Sequence, residues 1–238
     1  MDLMPVLQFA VQKDASDVHL QAGLPPNVRI GGILHATTLP PLTEEQLLNF
    51  IIAISPERFH DNIADRMAAG LDFSYAAPNL ARFRCSAYRQ LGQSGISMRI
   101  IKAKILSIAE LNLPPVINEI SLSGRGLTLV TGTTGSGKST TLASMIDLIN
   151  QTRPEKIITI EDPVEYLHTA KKCLIAQMEV GTDTVSFEQA LRQSLRQDPD
   201  VVLVGELRDM ETLRIALRAA DTGHQVFSTV HSASAADD

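Results

Sequence analysis

Tryptophan is absent from the 238-residue sequence, aromatic residues make up 4 %, and there are two cysteines. Each scarcity excludes something. Proteins that track single-stranded nucleic acid stack bases on aromatic side chains and cover phosphates with basic surface. Here 27 acidic residues outnumber 21 basic ones, for a formal charge of −6, so neither nucleic-acid translocation nor charge-driven membrane binding is expected. Cys85 and Cys173 are far apart and form no C-x-x-C pair. A structural zinc site needs four close ligands and a secreted scaffold more cysteines, so both are expected to be buried free thiols in a reducing compartment. No apolar run approaches the ~18 to 20 residues of a membrane span. Asp2 stands where a secretory leader wants positive charge, and Gln8 interrupts the apolar run, so the expected location is the cytoplasm. What remains, 44 % hydrophobic and 20 % charged residues, suits one large globular domain or two modest ones.

The first hundred residues read as a small α+β unit. Leu3, Leu7, Ala10 and Val11 recur at helical spacing. Short strands follow at Val18–Leu20 and Val28–Ile30, and Gly31-Gly32 turns the chain into a hairpin with Ile33-Leu34. Thr43 with Gln46 predicts a capping box, and Pro56 to Ala69 a second helix that Gly70 stops. The period then drops to two. Phe83, Cys85 and Ala87 alternate with Arg82, Arg84 and Ser86, and after a loop holding Gly92 and Gly95, Ile96, Met98 and Ile100 alternate with Ser97 and Arg99. Neighbouring strands would put Arg82, Arg84 and Arg99 on one polar sheet face. That face is either a solvated surface or a guanidinium cluster presented to an anion.

Pro114-Pro115 and Gly124-Arg125-Gly126 suggest a hinge, giving expected boundaries of 1–104, 105–126 and 127–238. From Leu127 onward, short apolar runs at 127–131, 156–160, 201–204 and 226–230, with a weaker one at 174–178, alternate with helices near 138–150, 186–197 and 211–222. That order predicts an α/β domain with a mainly parallel sheet.

Gly132 to Ser139 reads Gly-Thr-Thr-Gly-Ser-Gly-Lys-Ser, a full G-x-x-x-x-G-K-[ST] motif after an apolar strand and at the head of a helix. Its backbone N–H groups form a nest for phosphate oxygens, and the helix N-terminus adds donors and positive partial charge. Thr133, Thr134, Gly135, Ser136, Gly137, Lys138, Ser139 and Thr140 are therefore the expected nucleotide-binding residues. Lys138 neutralises the β- and γ-phosphates, and the Ser139 hydroxyl takes one position on Mg²⁺. Hydrolysis also needs carboxylates at the strand ends that face the crevice. One loop offers Glu161-Asp162-Pro163-Val164-Glu165 and another Gly205-Glu206, with Glu206 the magnesium candidate. Glu161 and Asp162 taken singly are equally readable as capping or surface acids. A third loop ends in His231, and His224 precedes its strand.

With these residues in place, the chain resembles the PilT-like branch of the bacterial secretion ATPases, the hexameric motors of type IV pilus retraction. Ser16-Asp17-Val18-His19-Leu20 is similar to that family's N-terminal motif, 160–165 to its acidic box, 205–209 to its Walker B segment, and 222–231 to its histidine box. The resemblance implies a RecA-like P-loop core behind a PAS-like N-terminal domain, with ATP and Mg²⁺ as cofactors. Glu165 would polarise the attacking water, Glu206 would be the Walker B acid on Mg²⁺, and His231, with His224, would report the γ-phosphate to the subunit boundary. Arg82, Arg84 and Arg99, with Arg89 as a fourth candidate, would reach a nucleotide held at an interface between domains or subunits. The implied setting is a hexameric ring at the cytoplasmic face of the bacterial inner membrane, acting on a platform protein. Two departures from the family pattern appear: the family's chain continues well past its histidine box, whereas this one stops at Asp238, and 89–95 has few basic residues. Assembly-type relatives usually carry a tetracysteine zinc module, which two scattered cysteines cannot supply. A pilus-assembly or type II secretion ATPase, or a non-hydrolysing regulatory module, are the alternative expectations.

Overall fold

A computed structural model of the chain describes residues 3–101 and 104–230. The chain divides into two compact units, 1–101 and 102–238, each with its own sheet.

The first unit runs α1 (Met4–Gln12), β1 (Asp17–Gln21), β2 (Asn27–Ile30), β3 (Ile33–Ala36), α2 (Glu44–Ile54), a 3-10 segment (Glu57–Asn62), α3 (Ile63–Ala69), β4 (Leu71–Ala77), β5 (Ala81–Gln90) and β6 (Gln93–Ile101). Its antiparallel sheet has the order β3-β2-β1-β6-β5-β4. Alternation decides the faces. Val18, Leu20, Phe83, Cys85, Ala87, Ile96 and Met98 are buried with Leu3, Leu7, Leu47 and Ile51 in one core. The Thr43–Gln46 capping box forms in full. The single helix expected from Pro56 does not: Glu57–Asn62 buries no residue fully, with Phe59 only partly packed on the core, and Asn62 leaves helical torsions before α3 begins.

The second unit contains α4 (Val116–Ser121), β7 (Gly126–Thr131), α5 (Lys138–Thr152), β8 (Lys156–Glu161), β9 (Leu174–Glu179), α6 (Phe187–Ser194), β10 (Val201–Val204), α7 (Met210–Asp221) and β11 (Gln225–Val230). All strand pairs are parallel, in the order β7-β11-β10-β8-β9. Ile157, Val201, Leu203 and Phe227 pack with Leu142, Met145, Ile146 and Ile149 of α5. On the other face, Ile158, Val202, Val204 and Val226 meet Leu191 of α6 and Ile215 and Ala219 of α7. Burial on both faces explains the uninterrupted apolar runs. β9 is an edge strand whose Leu174 is exposed, which accounts for its weaker signal.

The segment 105–126, expected to be a hinge, is bound into this second unit. Ser144 Oγ on α5 donates to Leu106 O at 2.6 Å, and the buried Gln225 side chain donates to Ile120 O and Ser121 O at 3.1 and 2.9 Å. The break between units falls earlier, at Ile101–Lys102. Among the described residues, no helix is long and apolar enough to cross a membrane.

Candidate functional site

Parallel strands end together, so β7, β8 and β10 bring their following loops to one edge of the sheet, where β11 also ends. The loop after β7 is the one expected to form the phosphate nest. Gly132, Gly135 and Gly137 all have positive φ, and Gly137, the residue before α5, is left-handed, which an L side chain would oppose. Thr133, Thr134, Gly135 and Ser136 are exposed, Ser139 and Thr140 half-buried, and Lys138 buried. Lys138 Nζ donates to Gly132 O and Thr133 O at 2.8 and 3.1 Å, which holds the ammonium against the loop.

The loop after β10 begins with Gly205, whose N–H donates to Ile160 O at 2.7 Å. A Cβ here would lie 3.3 Å from Ile160 O and 3.4 Å from Glu161 Cα, so glycine permits the close approach of β10 and β8 at their tips. Glu206 follows, its side chain largely shielded and ion-paired with Arg208. Asp209 then caps α7, accepting from Thr212 N at 2.8 Å.

β8 itself ends in the acid that sequence reasoning undervalued. Glu161 lines a cavity with Ser139, Tyr166, His168, Gly205 and Thr229. Burial pushes its carboxyl up, against Thr159 Oγ1, Glu165 N–H and Gln177 Nε2, which donate to it at 2.7, 3.3 and 3.3 Å. Glu165 is exposed beyond this cavity. A serine hydroxyl and carboxylates are hard oxygen donors of the kind Mg²⁺ takes, and the cavity brings Ser139 and Glu161 together, with Glu206 one residue beyond its lining.

His168 shares the cavity wall. Its Nδ1 is buried without a hydrogen bond, and burial lowers the imidazole pKa to about 4, with Lys171 lowering it further and Asp147 opposing. The ring is thus neutral when folded and gains a proton near 6.5 when unfolded. Between those values the unfolded chain binds more protons, so stability falls as pH drops, by roughly 3 kcal/mol at pH 4 from this group. Thermal melts at pH 7 and 4.5 should show a smaller loss in His168→Gln than in the parent; parallel losses would assign the effect elsewhere.

In the first unit, the polar sheet face is built as expected. Arg84 pairs across strands with Arg99, Arg99 with Asp17, and Asp17 with Arg29, with Arg82 two residues along from Arg84. The pattern did not reveal Asp17 within this row. Burial pushes the Asp17 carboxyl up, but the Ser16 hydroxyl and the Arg99 guanidinium outweigh it and hold it below the usual range. Arg99 Nε lies 3.0 Å from Asp17 Oδ1. Arg89 is engaged elsewhere: it pairs with Glu44 at 2.9 Å and donates to Gly92 O, bracing the β5–β6 hairpin. His224 sits before β11, at the opposite end of the sheet from the phosphate nest, with Nδ1 2.9 Å from Ala219 O. A γ-phosphate role within the same chain is therefore removed for His224. His231 lies outside the described residues.

The pattern described as type II/IV secretion system protein matches residues 1–238. The chain belongs to this family. It is 48 % identical over 236 residues to the type IV pilus retraction ATPase PilT of Pseudomonas aeruginosa, covering 99 % of this chain and 68 % of that protein. It is 45 % identical over 211 residues to a twitching motility protein of Neisseria gonorrhoeae, covering 89 % of this chain and 56 % of the relative. A crystal structure of the pilus retraction motor PilT with bound ADP superposes with a TM-score of 0.91 at 45 % identity, over 98 % of this chain and 67 % of that one. This chain thus spans roughly half to two thirds of these relatives' lengths, and within that span the type II/IV secretion α/β fold with its parallel sheet is the one they share.

Proposed function

We propose that this chain supplies the ATP-hydrolysing part of a ring-forming motor that powers type IV pilus retraction. The observation that carries the reading is a complete phosphate nest sharing one sheet edge with two acid-bearing loops, in a chain nearly half identical to a named retraction ATPase. The second unit is read as a RecA-like core and the first as PAS-like. Phosphates settle on the N–H groups of 133–140, with Lys138 balancing their charge. Ser139 and Glu206 are the residues that would hold Mg²⁺, which would offset the negative charge developing on the phosphates. Glu165 orients the attacking water and takes its proton. Arg82, Arg84 and Arg99 of a neighbouring copy add positive charge at the nucleotide, and His231 reports the γ-phosphate. The setting is the cytoplasmic face of a bacterial inner membrane, against a platform protein.

The test is Mg-ATP turnover per subunit over a wide range of protein concentration. Activity should rise as copies meet and then level off. Flat turnover in a preparation that remains monomeric by mass would overturn the contribution from a neighbour, and bound ATP without turnover would overturn the hydrolytic reading.

A further inference from the structure

We infer that Tyr166 is a positioning residue that sets Glu165 against the phosphate nest. This rests on the proposed role of Glu165. Residues 166–173 form a strap laid along one side of α5. Thr140, Asp147 and Asn150 recur on that helix at intervals that keep them on one side. Asn150 Nδ2 donates to Thr169 O at 2.8 Å, its Oδ1 accepts from Lys171 N at 2.9 Å, and Lys171 Nζ reaches Asp147 Oδ1 at 2.6 Å. Gln177 on β9 donates to Tyr166 O at 2.9 Å and accepts from His168 N at 2.8 Å. These ties run to β9 or to the middle and end of α5. The Tyr166 hydroxyl is the tie that reaches the helix's first turn, 2.8 Å from Thr140 Oγ1, one residue after Ser139.

The consequence is geometric. Glu165 is exposed, and its own backbone anchor is a long 3.3 Å bond to Glu161 Oε2. Its neighbour Tyr166 lines the cavity that contains Ser139. The phenol therefore joins the acid-bearing loop to the helix end that carries the phosphates, and fixes the distance across which Glu165 must act. Misplacement of a catalytic group by about 1 Å can slow a reaction by about 10²-fold. The strap's other bonds are independent of the hydroxyl, so removing it should loosen that distance without unfolding the loop.

Tyr166→Phe is expected to lower kcat about tenfold, with KM and affinity for a fluorescent ADP analogue within twofold of the parent and little change in melting temperature. In a Glu165→Gln background, assayed by single turnover, the same change should cost almost nothing further, because the group it positions is already disabled. Lys171→Met, which cuts a remote tie of the same strap, should leave kcat near the parent value. An unchanged kcat in Tyr166→Phe, beside an inactive Glu165→Gln, would overturn the positioning role alone. So would equal losses in the two backgrounds, a loss in ADP affinity in place of kcat, or an equal kcat loss in Lys171→Met. Full turnover in Glu165→Gln would overturn both the positioning role and the role of Glu165 that it rests on.

Discussion

Glu165→Gln is expected to lower ATP turnover by about 10²- to 10⁴-fold, the usual range for a positioned general base, while nucleotide affinity stays within a few-fold. The amide matches the carboxylate in size but cannot accept the water's proton. The side chain is exposed, so the exchange disturbs no core. Its backbone N–H, bonded to Glu161 Oε2, is unaffected by the substitution. Multiple-turnover assays and fluorescent-ADP titration on the same protein separate chemistry from binding. Unchanged turnover would move the role to Glu161, the carboxyl that already shares a cavity with Ser139. Glu161→Gln would then be the decisive variant, with its melting temperature followed because that site is buried and hydrogen-bonded.

The second large effect is on binding itself. Lys138→Met should weaken ATP and ADP affinity by about 10²- to 10³-fold, the expected cost of removing one partner from a shielded charge pair. Methionine keeps the apolar stem that lies buried in the loop and deletes the ammonium. The lost bonds to Gly132 O and Thr133 O leave two carbonyls beside exposed loop residues, where water can replace the donor. The melting temperature without nucleotide should therefore stay close to the parent's, whereas stabilisation by added ADP should vanish. Retained stabilisation by ADP would show that the backbone nest holds the phosphates unaided.

Much of this was legible because the relevant physics is local. The strand, glycine loop and lysine of the proposed phosphate nest are contiguous, and two-sided burial writes itself as unbroken apolar runs. The arginine face followed from period-two alternation, since Arg84 and Arg99 do pair across strands. The misses were long-range. Arg89 looked available because its partner, Glu44, lies 45 positions away. Glu161 looked like any strand-end acid until Thr159 and Gln177 were seen to enclose it. His224 stood close in sequence to a promising histidine, yet a whole strand separates it from the nest. Residues 105–126 carried every local mark of a hinge, and distant residues such as Ser144 and Gln225 reveal that they are fastened down. The β5–β6 turn was read as a longer loop because Leu91, at φ 49°, takes a left-handed place normally given to Asn or Gly.

The strand order of the second unit also governs how the protein can be made. Among the described residues, β7 lies at the edge and pairs with β11, the last of these strands in chain order. A nascent chain leaving the ribosome can finish its antiparallel first unit once residue 101 has emerged. The glycine loop after β7 has no such option, because among the described strands the one that supports it pairs only with Gln225–Val230. Synthesis and closure of that long interval come before a nucleotide can be gripped. A nucleotide bound as proposed would thus act as a late ligand, stabilising the sheet once β11 has joined it and not assisting its early assembly.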